Sequence, residues 1–581
     1  MPRSRVWLLL LMAAALAGVW RLPDLGEAYS GPSAWSGTPQ FSVRNAWSHA
    51  ETLATKYPRR WSGSADRRAA ADWIATTLHA WGLEVHRSRF DVPLGEDRPT
   101  TLENVWGISH GTERAGEIIV VLGNYDMAPT SYQAASDTAG HVGTILELAR
   151  VLHTTPHRRT FLFLFPDGEE WGMLGARHFI RTFSHRPGIV AAISIEDLDA
   201  SEIAALGVDG VGQFRGFAPM WLRELAADAA RHEDLAAAEV TPFFEWLQRS
   251  VLVSFTDQGP FVAAGVPAID LGGRTADRAT QNRIYHLESD TMDTLRPRSM
   301  EIYGRTQERI LRALDTMPET PREPQAYLRT APGRLVRQPR LLAVQVAVFL
   351  PLLVSVLGGA RQRGFSRMLL DESRALGSVL IVLVAGLGIL KALPRAGLML
   401  DFALYPPPPR HPLLTDVNWT AVVVTLIALG GLAWLSWRIM RSRHKAAGAG
   451  DARAAVTVLR GWLLSLAVVA LVDNAFGAVT FLVCPALLWV WIEPSRSWFR
   501  KAANAVLIAA GFVALIALVA SYGQRLRIGA YILWYLFMSV AYGQINLLRT
   551  AMTLALFAIA LRLFVRTAAP VGTAVSETPG S

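Results

Sequence analysis

Two adjacent glutamates mark the segment of this chain whose residue types could do chemistry. Glu169 and Glu170 follow the apolar run at residues 161–165 and precede a stretch with helical character. Side chains of neighbouring residues at the end of a strand point in different directions. One carboxylate can therefore bind a metal ion while the other faces a substrate water. That division of labour is what metal-assisted hydrolysis requires.

The elements around these glutamates predict an α/β fold. Short apolar runs at residues 117–122, 160–165 and 189–195 are typical of buried strands, whereas residues 138–152 and 172–183 are typical of helices. Strands that alternate with helices indicate βαβ units and a mostly parallel sheet flanked by helices. In such sheets, functional sites lie at the carboxyl ends of the strands.

Polar residues collect where the three predicted strands end. In chain order they are Asn124 and Asp126, then Asp167, Glu169 and Glu170, and finally Glu196, Asp197 and Asp199. This much negative charge at one sheet edge needs a counter-ion, and a bound divalent cation is the simplest one. The sequence therefore predicts a metal site at this edge.

Five short blocks occur in order between residues 45 and 315. They are Gly123-Asn124-Tyr125-Asp126, Asp137-Thr138-Ala139-Gly140-His141, Asp167-Gly168-Glu169-Glu170-Trp171-Gly172, Asp197-Leu198-Asp199, and Tyr285-His286 with Asp290, Thr291 and Asp293. In order and approximate spacing they resemble the co-catalytic zinc exopeptidases typified by secreted bacterial leucyl aminopeptidases, a family that also contains glutaminyl cyclases. The whole chain resembles multi-spanning members, in which an exported zinc domain precedes several helices.

The resemblance implies a set of zinc ligands. Asp137 would bridge two zinc ions, Glu170 and His286 would complete one of them, and Asp199 with residue 124 would complete the other. Carboxylate oxygen and imidazole nitrogen are both zinc ligands, and a catalytic site leaves one position open for water.

The resemblance also implies two residues with catalytic roles. Glu169 would be the general base that takes a proton from the metal-bound water, a role suited to a carboxylate beside such a water. Asp126 would orient the residue at position 124.

Position 124 departs from the family, which has His where this chain has Asn124. A neutral carboxamide is a poor zinc ligand beside imidazole. Three interpretations stay open: a single zinc held by Asp137, Glu170 and His286, a weak second ion, or a folded domain without catalysis. His141, four residues after Asp137, is an alternative ligand if the local turn is unusual.

Composition divides the chain into an exported domain and a membrane domain. The chain has 581 residues, of which 51% are hydrophobic, too long for one domain and too apolar for a wholly soluble protein. Residues 1–22, with Arg3 and Arg5 before an apolar run, are typical of a signal peptide or signal anchor. The sequence further predicts a peptidase-like domain at 40–330, a polytopic membrane domain at 340–566 and a disordered tail at 567–581.

About eight apolar runs between residues 341 and 565 approach the roughly 20 residues that span a bilayer. Arginine and lysine residues in alternate loops predict that these loops are cytoplasmic and that residues 22–335 lie on the opposite side. The only cysteine, Cys484, lies in a membrane run, so the exported domain has no disulfides. An exported domain without disulfides favours a bacterial inner membrane with a periplasmic catalytic domain. The alternative is an endomembrane with a lumenal domain. Much of the net charge of +9 comes from the arginine and lysine residues that set the membrane orientation of the loops. This argues against nucleic acid as a partner.

The predicted function is a membrane-anchored zinc exopeptidase, an aminopeptidase that hydrolyses N-terminal residues of peptides. Its partners are a peptide substrate and the lipid bilayer, and the sequence leaves the oligomeric state open. One alternative is a single-zinc acyltransferase of the glutaminyl cyclase kind. The other is a non-catalytic scaffold or binding protein that keeps the fold, as the substitution at Asn124 would allow.

Overall fold

The described residues of the chain form two compact units. The computed structural model describes residues 3–92, 99–238, 240–323, 326–362, 364–396, 398, 416–441, 449–525, 528–541, 545 and 547–568. Gly26–Leu335 belong to an α/β unit, and Met1–Leu25 with the chain from Val336 contribute to a helical unit. The predicted boundaries at residues 40 and 330 fall inside the α/β unit. Residues 569–581, most of the predicted tail, lie outside the described residues.

Between residues 114 and 198, the strands of the α/β unit alternate with helices along the chain, as the periodicity predicts. The strands are β1 (Glu27–Ala28), β2 (Glu84–Val92), β3 (Thr100–Ser109), β4 (Arg114–Leu122), β5 (Arg159–Phe165), β6 (Ile189–Leu198), β7 (Ile203–Asp209), β8 (Ala236–Ala238), β9 (Ala268–Thr275), β10 (Tyr327–Ala331) and β11 (Arg334–Arg337). Among the described residues, strands β2 to β9 form an eight-stranded sheet in the order β2-β3-β5-β4-β6-β9-β7-β8.

The centre of this sheet is parallel and its outer pairs are mixed. Neighbours β5, β4, β6 and β9 run parallel, whereas β2 and β3 pair antiparallel and β7 is antiparallel to β9. Every residue of β5 is buried, which matches the continuous apolar run expected of a strand covered on both faces. This confirms the predicted fold class and brings the carboxyl ends of four parallel strands to one edge.

The helices cover the faces of the sheet or belong to the helical unit. Numbered along the chain, they are α1 (Arg3–Trp20), α2 (Val43–Lys56), α3 (Ala65–Ala80), α4 (Gly140–His153), α5 (Leu174–Thr182), α6 (Met220–Arg231), α7 (Pro242–Val251), α8 (Gln258–Ala263), α9 (Arg278–Ile284), α10 (Pro297–Thr316), α11 (Gln338–Ala347), α12 (Leu350–Ala360), α13 (Phe365–Ala392), α14 (Trp419–Arg441), α15 (Ala449–Leu488), α16 (Trp498–Ala510), α17 (Val513–Arg525), α18 (Ile532–Ala541) and α19 (Leu547–Ala568).

One irregularity in the sheet bears directly on the site. Along β6 and β9, Glu196 is opposite Gly272 and Leu198 is opposite Gly273, so Asp197 is an extra residue on β6. Such a bulge bends the strand and re-aims the side chain that it carries. The alternation of inward and outward side chains is therefore interrupted at the acidic end of β6.

The helical unit contains apolar helices of membrane-spanning length. Among its described residues, three helices are long and apolar enough to cross a membrane: Phe365–Ala392, Asp451–Trp491 and Leu547–Ala568. The number rises to five if each of two bent helix pairs counts as one span: Gln338–Ala347 with Leu350–Ala360, and Trp498–Ala510 with Val513–Gln524. Shorter apolar helices cover Trp7–Trp20, Trp419–Leu432 and Gly529–Ala541. Membrane spans are thus supported, and the number of about eight stays a prediction.

Candidate metal centre

Asp137 lies in a turn that a carboxylate distant in sequence holds in shape. Residues Ala135–Ala139 form a π-type turn in which Asp137 has φ −143° and ψ 85°. The Asp290 carboxylate accepts the backbone N–H of Ser136 at 2.8 Å and that of Asp137 at 3.3 Å. Helix α4 begins only afterwards, with Ala139 as its N-cap. The Asp137 side chain is therefore available to the site instead of capping the helix.

His286 follows helix α9 in a backbone conformation that is rare outside glycine. Its φ is +59°, and the Thr130 hydroxyl donates to its backbone carbonyl at 2.7 Å. The Tyr285 ring stacks on the imidazole with 3.9 Å between ring centroids. Residues held in this region of backbone space cost roughly 1–3 kcal/mol and cluster at functional sites. Here the conformation places the imidazole at the edge of the sheet.

Asp137, Glu170 and His286 bring three potential metal ligands together. One ligand atom from each lies within 4.8 Å of the others, and all three side chains are buried. His286 Nε2 is 3.1 Å from Asp137 Oδ2 and 3.5 Å from Glu170 Oε2. Ligands bound to zinc tetrahedrally at about 2.0–2.1 Å lie about 3.3 Å apart, so these separations match a zinc coordination sphere.

One further atom of the same residues supports a bound cation. Glu170 Oε1 is buried and makes no hydrogen bond in the described structure. Buried polar atoms normally have partners, and exceptions call for an explanation such as an ion. The set of two carboxylates and one imidazole is suited to zinc, the predicted cofactor.

The charges of the three residues act strongly on one another. Burial lowers the pKa of His286, but the carboxylates of Glu170 and Asp137 outweigh it and raise that pKa to about 9. Burial raises the pKa of Glu170 well above its usual range, opposed by His286 and reinforced by Asp137. The two buried carboxylates thus attract positive charge, from a proton on the imidazole or from a metal ion.

Glu169 lies beside this cluster with a partly exposed side chain. Burial raises its pKa well above the usual range, and the negative charges of Glu196, Glu170 and Asp257 add to that effect. Its backbone N–H donates to Asp126 Oδ1 at 3.2 Å. A carboxylate with a raised pKa next to a metal centre is able to accept and hold a proton.

Asn124 and Asp126 interact with each other. Asn124 Nδ2 donates to the backbone carbonyl and to Oδ1 of Asp126, both at 3.4 Å. Asp126 is fully buried, also accepts the Ser62 hydroxyl at 3.2 Å, and has a pKa raised to about 6 by burial. Through the N–H of Glu169, Asp126 also orients the segment with the two glutamates. Neither residue belongs to the three-ligand cluster found among the described residues.

Asp167, the first acid of the glutamate segment, anchors the segment to the neighbouring strand. Its Oδ2 lies 3.1 Å from Arg67 Nη1 and accepts the backbone N–H of Glu103 at 2.9 Å. Both side chains of the ion pair are buried. Asp167 therefore holds the loop that presents Glu169 and Glu170.

Asp199 has arginine and backbone partners in the described structure. Its Oδ2 accepts the backbone N–H of Thr275 at 2.9 Å and Arg278 Nη1 at 2.7 Å. The negative charge of Asp197, the extra residue of the β6 bulge, adds to the raised pKa values of Glu170, His286 and Tyr285. The role of Asp199 as a zinc ligand stays a prediction.

Two buried carboxylates behind Glu169 were not among the predicted site residues. Glu196 Oε1 accepts the backbone N–H of Asp257 at 2.8 Å, and burial raises the pKa of both carboxyls well above the usual range. Both Asp257 side-chain oxygens are buried without a hydrogen-bond partner. Residues 256–261 resemble a pocket loop of the zinc exopeptidases, which is a sequence signal for Asp257. The contact with Glu196 itself depends on the packing of α8 against the end of β6.

The alternative ligand His141 lies inside the domain with a different partner. Its Nε2 is 2.8 Å from the backbone carbonyl of Asn124, and burial lowers its pKa to about 4. A buried neutral imidazole bonded to the backbone is a packing element. Among the described residues it is not part of the three-ligand cluster.

Residues 104–311, which include the whole ligand cluster, match Peptidase family M28. A "Probable zinc metalloprotease" of the fungus Pyrenophora tritici-repentis is 24% identical over 262 residues, 39% of this chain and 54% of that protein. Aminopeptidase YwaD of Bacillus subtilis is 31% identical over 87 residues, 15% of this chain and 19% of that protein. The chain spans about half the length of the first curated relative that it matches.

A comparison with solved structures found similarity over about half of the chain. The crystal structure of Fimbriiglobus ruber glutaminyl cyclase is 20% identical, with a TM-score of 0.40, and covers 48% of this chain and 97% of that protein.

Proposed function

We propose that this protein, whose α/β unit carries the match to the M28 zinc peptidases, is a membrane-anchored exopeptidase that removes N-terminal residues from peptides. The observation that carries the proposal is the buried cluster of Asp137, Glu170 and His286, with Glu169 partly exposed beside it. A three-ligand centre next to a free carboxylate is the arrangement expected for hydrolysis with a general base.

Asp137, Glu170 and His286 are the proposed zinc ligands. Asp290 holds the Asp137 backbone, and Thr130 holds that of His286, so both ligands are oriented before the ion binds. A bound zinc ion would polarise the scissile carbonyl and lower the pKa of a coordinated water.

Glu169 is the proposed general base, and Asp126 its positioning residue. Glu169 takes the proton from the attacking water and passes it to the leaving amine. Its raised pKa allows it to hold that proton between the two transfers. Asp126 accepts the Glu169 N–H, which keeps the carboxylate on the side of the metal centre.

The decisive experiment is Glu169→Gln in the full-length protein. Activity on aminoacyl amides and short peptides should fall by about 10²–10⁴-fold, the usual worth of a general base, while zinc content stays unchanged. The control is Glu288→Gln, which changes an exposed glutamate close to His286 in the chain. Full activity of Glu169→Gln, or a purified wild type without zinc, would refute the proposal.

A single-zinc acyltransferase is the second candidate function. It is favoured by one observation: among the described His, Cys, Asp and Glu side chains one cluster of three could hold a metal ion, while position 124 offers only a carboxamide, a poor zinc ligand beside imidazole. Peptides with N-terminal Gln separate the candidates, because an acyltransferase of this kind releases ammonia whereas an aminopeptidase releases the free amino acid. A non-catalytic scaffold would do neither.

The proposed location is a bacterial inner membrane with the α/β unit in the periplasm. It rests on the basic residues in alternate loops and on the apolar helices of the helical unit. Protease added to spheroplasts should cut the α/β unit. Protection until the membrane is broken would contradict this orientation.

A further inference from the structure

Arg274 is an arginine beside the metal cluster with a place built for its side chain. It lies on β9, and its Nη1 is 3.2 Å from Asp197 Oδ2 and 3.6 Å from Asp199 Oδ1. Its side chain is 27% exposed, which leaves the guanidinium at the rim of the sheet edge. One cation thus bridges the two acids that end β6.

Two glycines make the room that this guanidinium needs. Gly207 on β7 and Gly272 on β9 lie directly opposite each other in the sheet. A Cβ atom on Gly207 would lie 2.8 Å from Arg274 Nε, and one on Gly272 would lie 2.8 Å from Arg274 Cζ. Residues 272 and 274 share a face of the strand, so any side chain at 272 would displace the arginine.

A second arginine completes the neutralisation of these acids. Arg278, at the start of α9, donates through Nη1 to Asp199 Oδ2 at 2.7 Å. Asp199 thus has ion-pair contacts to both arginines, and Asp197 has one to Arg274. A dication at the same place would lie against these guanidinium groups, and like charges at such distances repel each other.

The arginine pair lies next to the proposed zinc ligands. A Cβ atom on Gly140, three residues after Asp137, would lie 3.6 Å from Cβ of Leu198, the residue between Asp197 and Asp199. The segment that follows Asp137 is therefore packed against the end of β6 that carries both acids. Asn124, with its amide nitrogen directed to Asp126, adds no charge and no imidazole on this side.

We propose that the Arg274 guanidinium takes the place of a second metal ion, so that the centre binds a single zinc through Asp137, Glu170 and His286. This rests on the proposed function, since it assumes that those three residues hold zinc. Arg274 is then a positioning residue, which fixes Asp197 beside the ligand cluster by a permanent positive charge. Restoring the imidazole alone, by Asn124→His, will not create a second site.

Zinc stoichiometry of the full-length protein in detergent tests this proposal. Each protein is stripped with a chelator and equilibrated with buffered excess zinc, and bound zinc per chain is measured by mass spectrometry. Wild type and Asn124→His should each bind a single zinc ion. Asn124→His combined with Arg274→Met should bind a second ion, because Asp197 loses its arginine partner, and the remaining partner of Asp199, Arg278, is 57% exposed and able to turn into solvent.

Two controls keep the test decisive. Asn124→His with Arg215→Met removes an exposed arginine that donates to the backbone of Ala263, and it should stay at a single zinc. Asn124→His with Arg274→Lys keeps a cation and should also stay at a single zinc, even if the Met variant folds poorly. Circular dichroism reports the fold of each variant.

The proposal is overturned if wild type or Asn124→His binds two zinc ions. It is also overturned if the folded Asn124→His, Arg274→Met protein stays at one. These results differ from failure of the proposed function, which would appear as no bound zinc or as full activity of Glu169→Gln.

Discussion

Two neighbouring parts of the same sheet edge deal with negative charge in different ways. After β5, Glu170 joins Asp137 and His286 in a buried cluster whose ligand atoms lie within 4.8 Å of one another. After β6, Asp197 and Asp199 are matched by Arg274 and Arg278. The first group is arranged for an external cation, and the second is balanced by cations of the chain itself.

The difference shows that a row of carboxylates does not by itself define a metal site. A metal site needs ligand atoms that converge and still have unused hydrogen-bonding capacity, as Glu170 Oε1 does. Where a guanidinium already donates to the carboxylates, the demand for positive charge is met. Each prediction below changes one side of this comparison and leaves the other intact.

The largest effect is expected from His286→Ala, which removes the single imidazole of the cluster. Zinc affinity should fall by more than about 100-fold, and activity should fall with it. This exceeds the loss expected when a residue that only hydrogen-bonds to a metal ligand is removed. Isothermal titration with zinc measures the affinity. His110→Ala, an exposed histidine paired with Glu84, is the control and should bind zinc normally. Zinc binding that survives His286→Ala would place the metal elsewhere.

Asp290→Asn should weaken the cluster without removing a ligand. Asp290 accepts the backbone N–H groups of Ser136 and Asp137, and partners of this kind change metal affinity by about 10–100-fold. Competition with a chromogenic chelator measures the loss. Asp293→Asn, at an exposed position three residues on, should leave the affinity unchanged. Equal affinities for both variants would contradict the role of Asp290.

Asp126→Ala should separate positioning of the base from metal binding. Loss of the acceptor for the Glu169 N–H should lower kcat by about tenfold and leave the zinc content unchanged. The fall in kcat is smaller than the roughly 10²–10⁴-fold fall expected when the general base itself is removed. Steady-state kinetics and metal analysis of the same sample check both expectations. Loss of zinc in this variant would mean that Asp126 supports a ligand.

The smallest effect is expected from Gly207→Ala, on the arginine side of the comparison. The new Cβ would meet Arg274 Nε at 2.8 Å, and overpacking of this kind costs about 1–3 kcal/mol. Thermal unfolding of the full-length protein should begin at a lower temperature. Gly116→Ala is the matched control, because a Cβ there meets nothing within 4 Å. Equal destabilisation by both changes would count against a dedicated place for Arg274.

Local patterns predicted the elements and the fold class. The alternation of apolar runs with helical periods gave β4, β5 and β6 and the helices between them, because each pattern extends over neighbouring residues. The zinc cofactor was also predictable, since the five blocks keep the residue types that zinc accepts. The number of membrane spans was harder to predict from the sequence. Helices that bend or end early, such as α11 and α12, are each shorter than a full span.

The detailed site could not be predicted in the same way. Asp197 and Asp199 are both acids at the end of β6, and the bulge at Asp197 changes the alternation of side chains there, which the sequence pattern does not reveal. Arg274 is 77 residues from Asp197 and belongs to no block of the family resemblance. Its role follows from the register of β7 against β9, which places Gly207 and Gly272 beneath it.

The amino-acid sequence by itself determined the α/β class, the zinc chemistry, the pair of glutamates and the absence of an imidazole at Asn124. Only the tertiary structure decided which ligands meet, because His286 and Asp137 are 149 residues apart. It also decided that Asp197 and Asp199 are matched by arginines. The physical reason is that residue type sets what a side chain can bind, whereas long-range strand pairing and loop closure set what it actually faces.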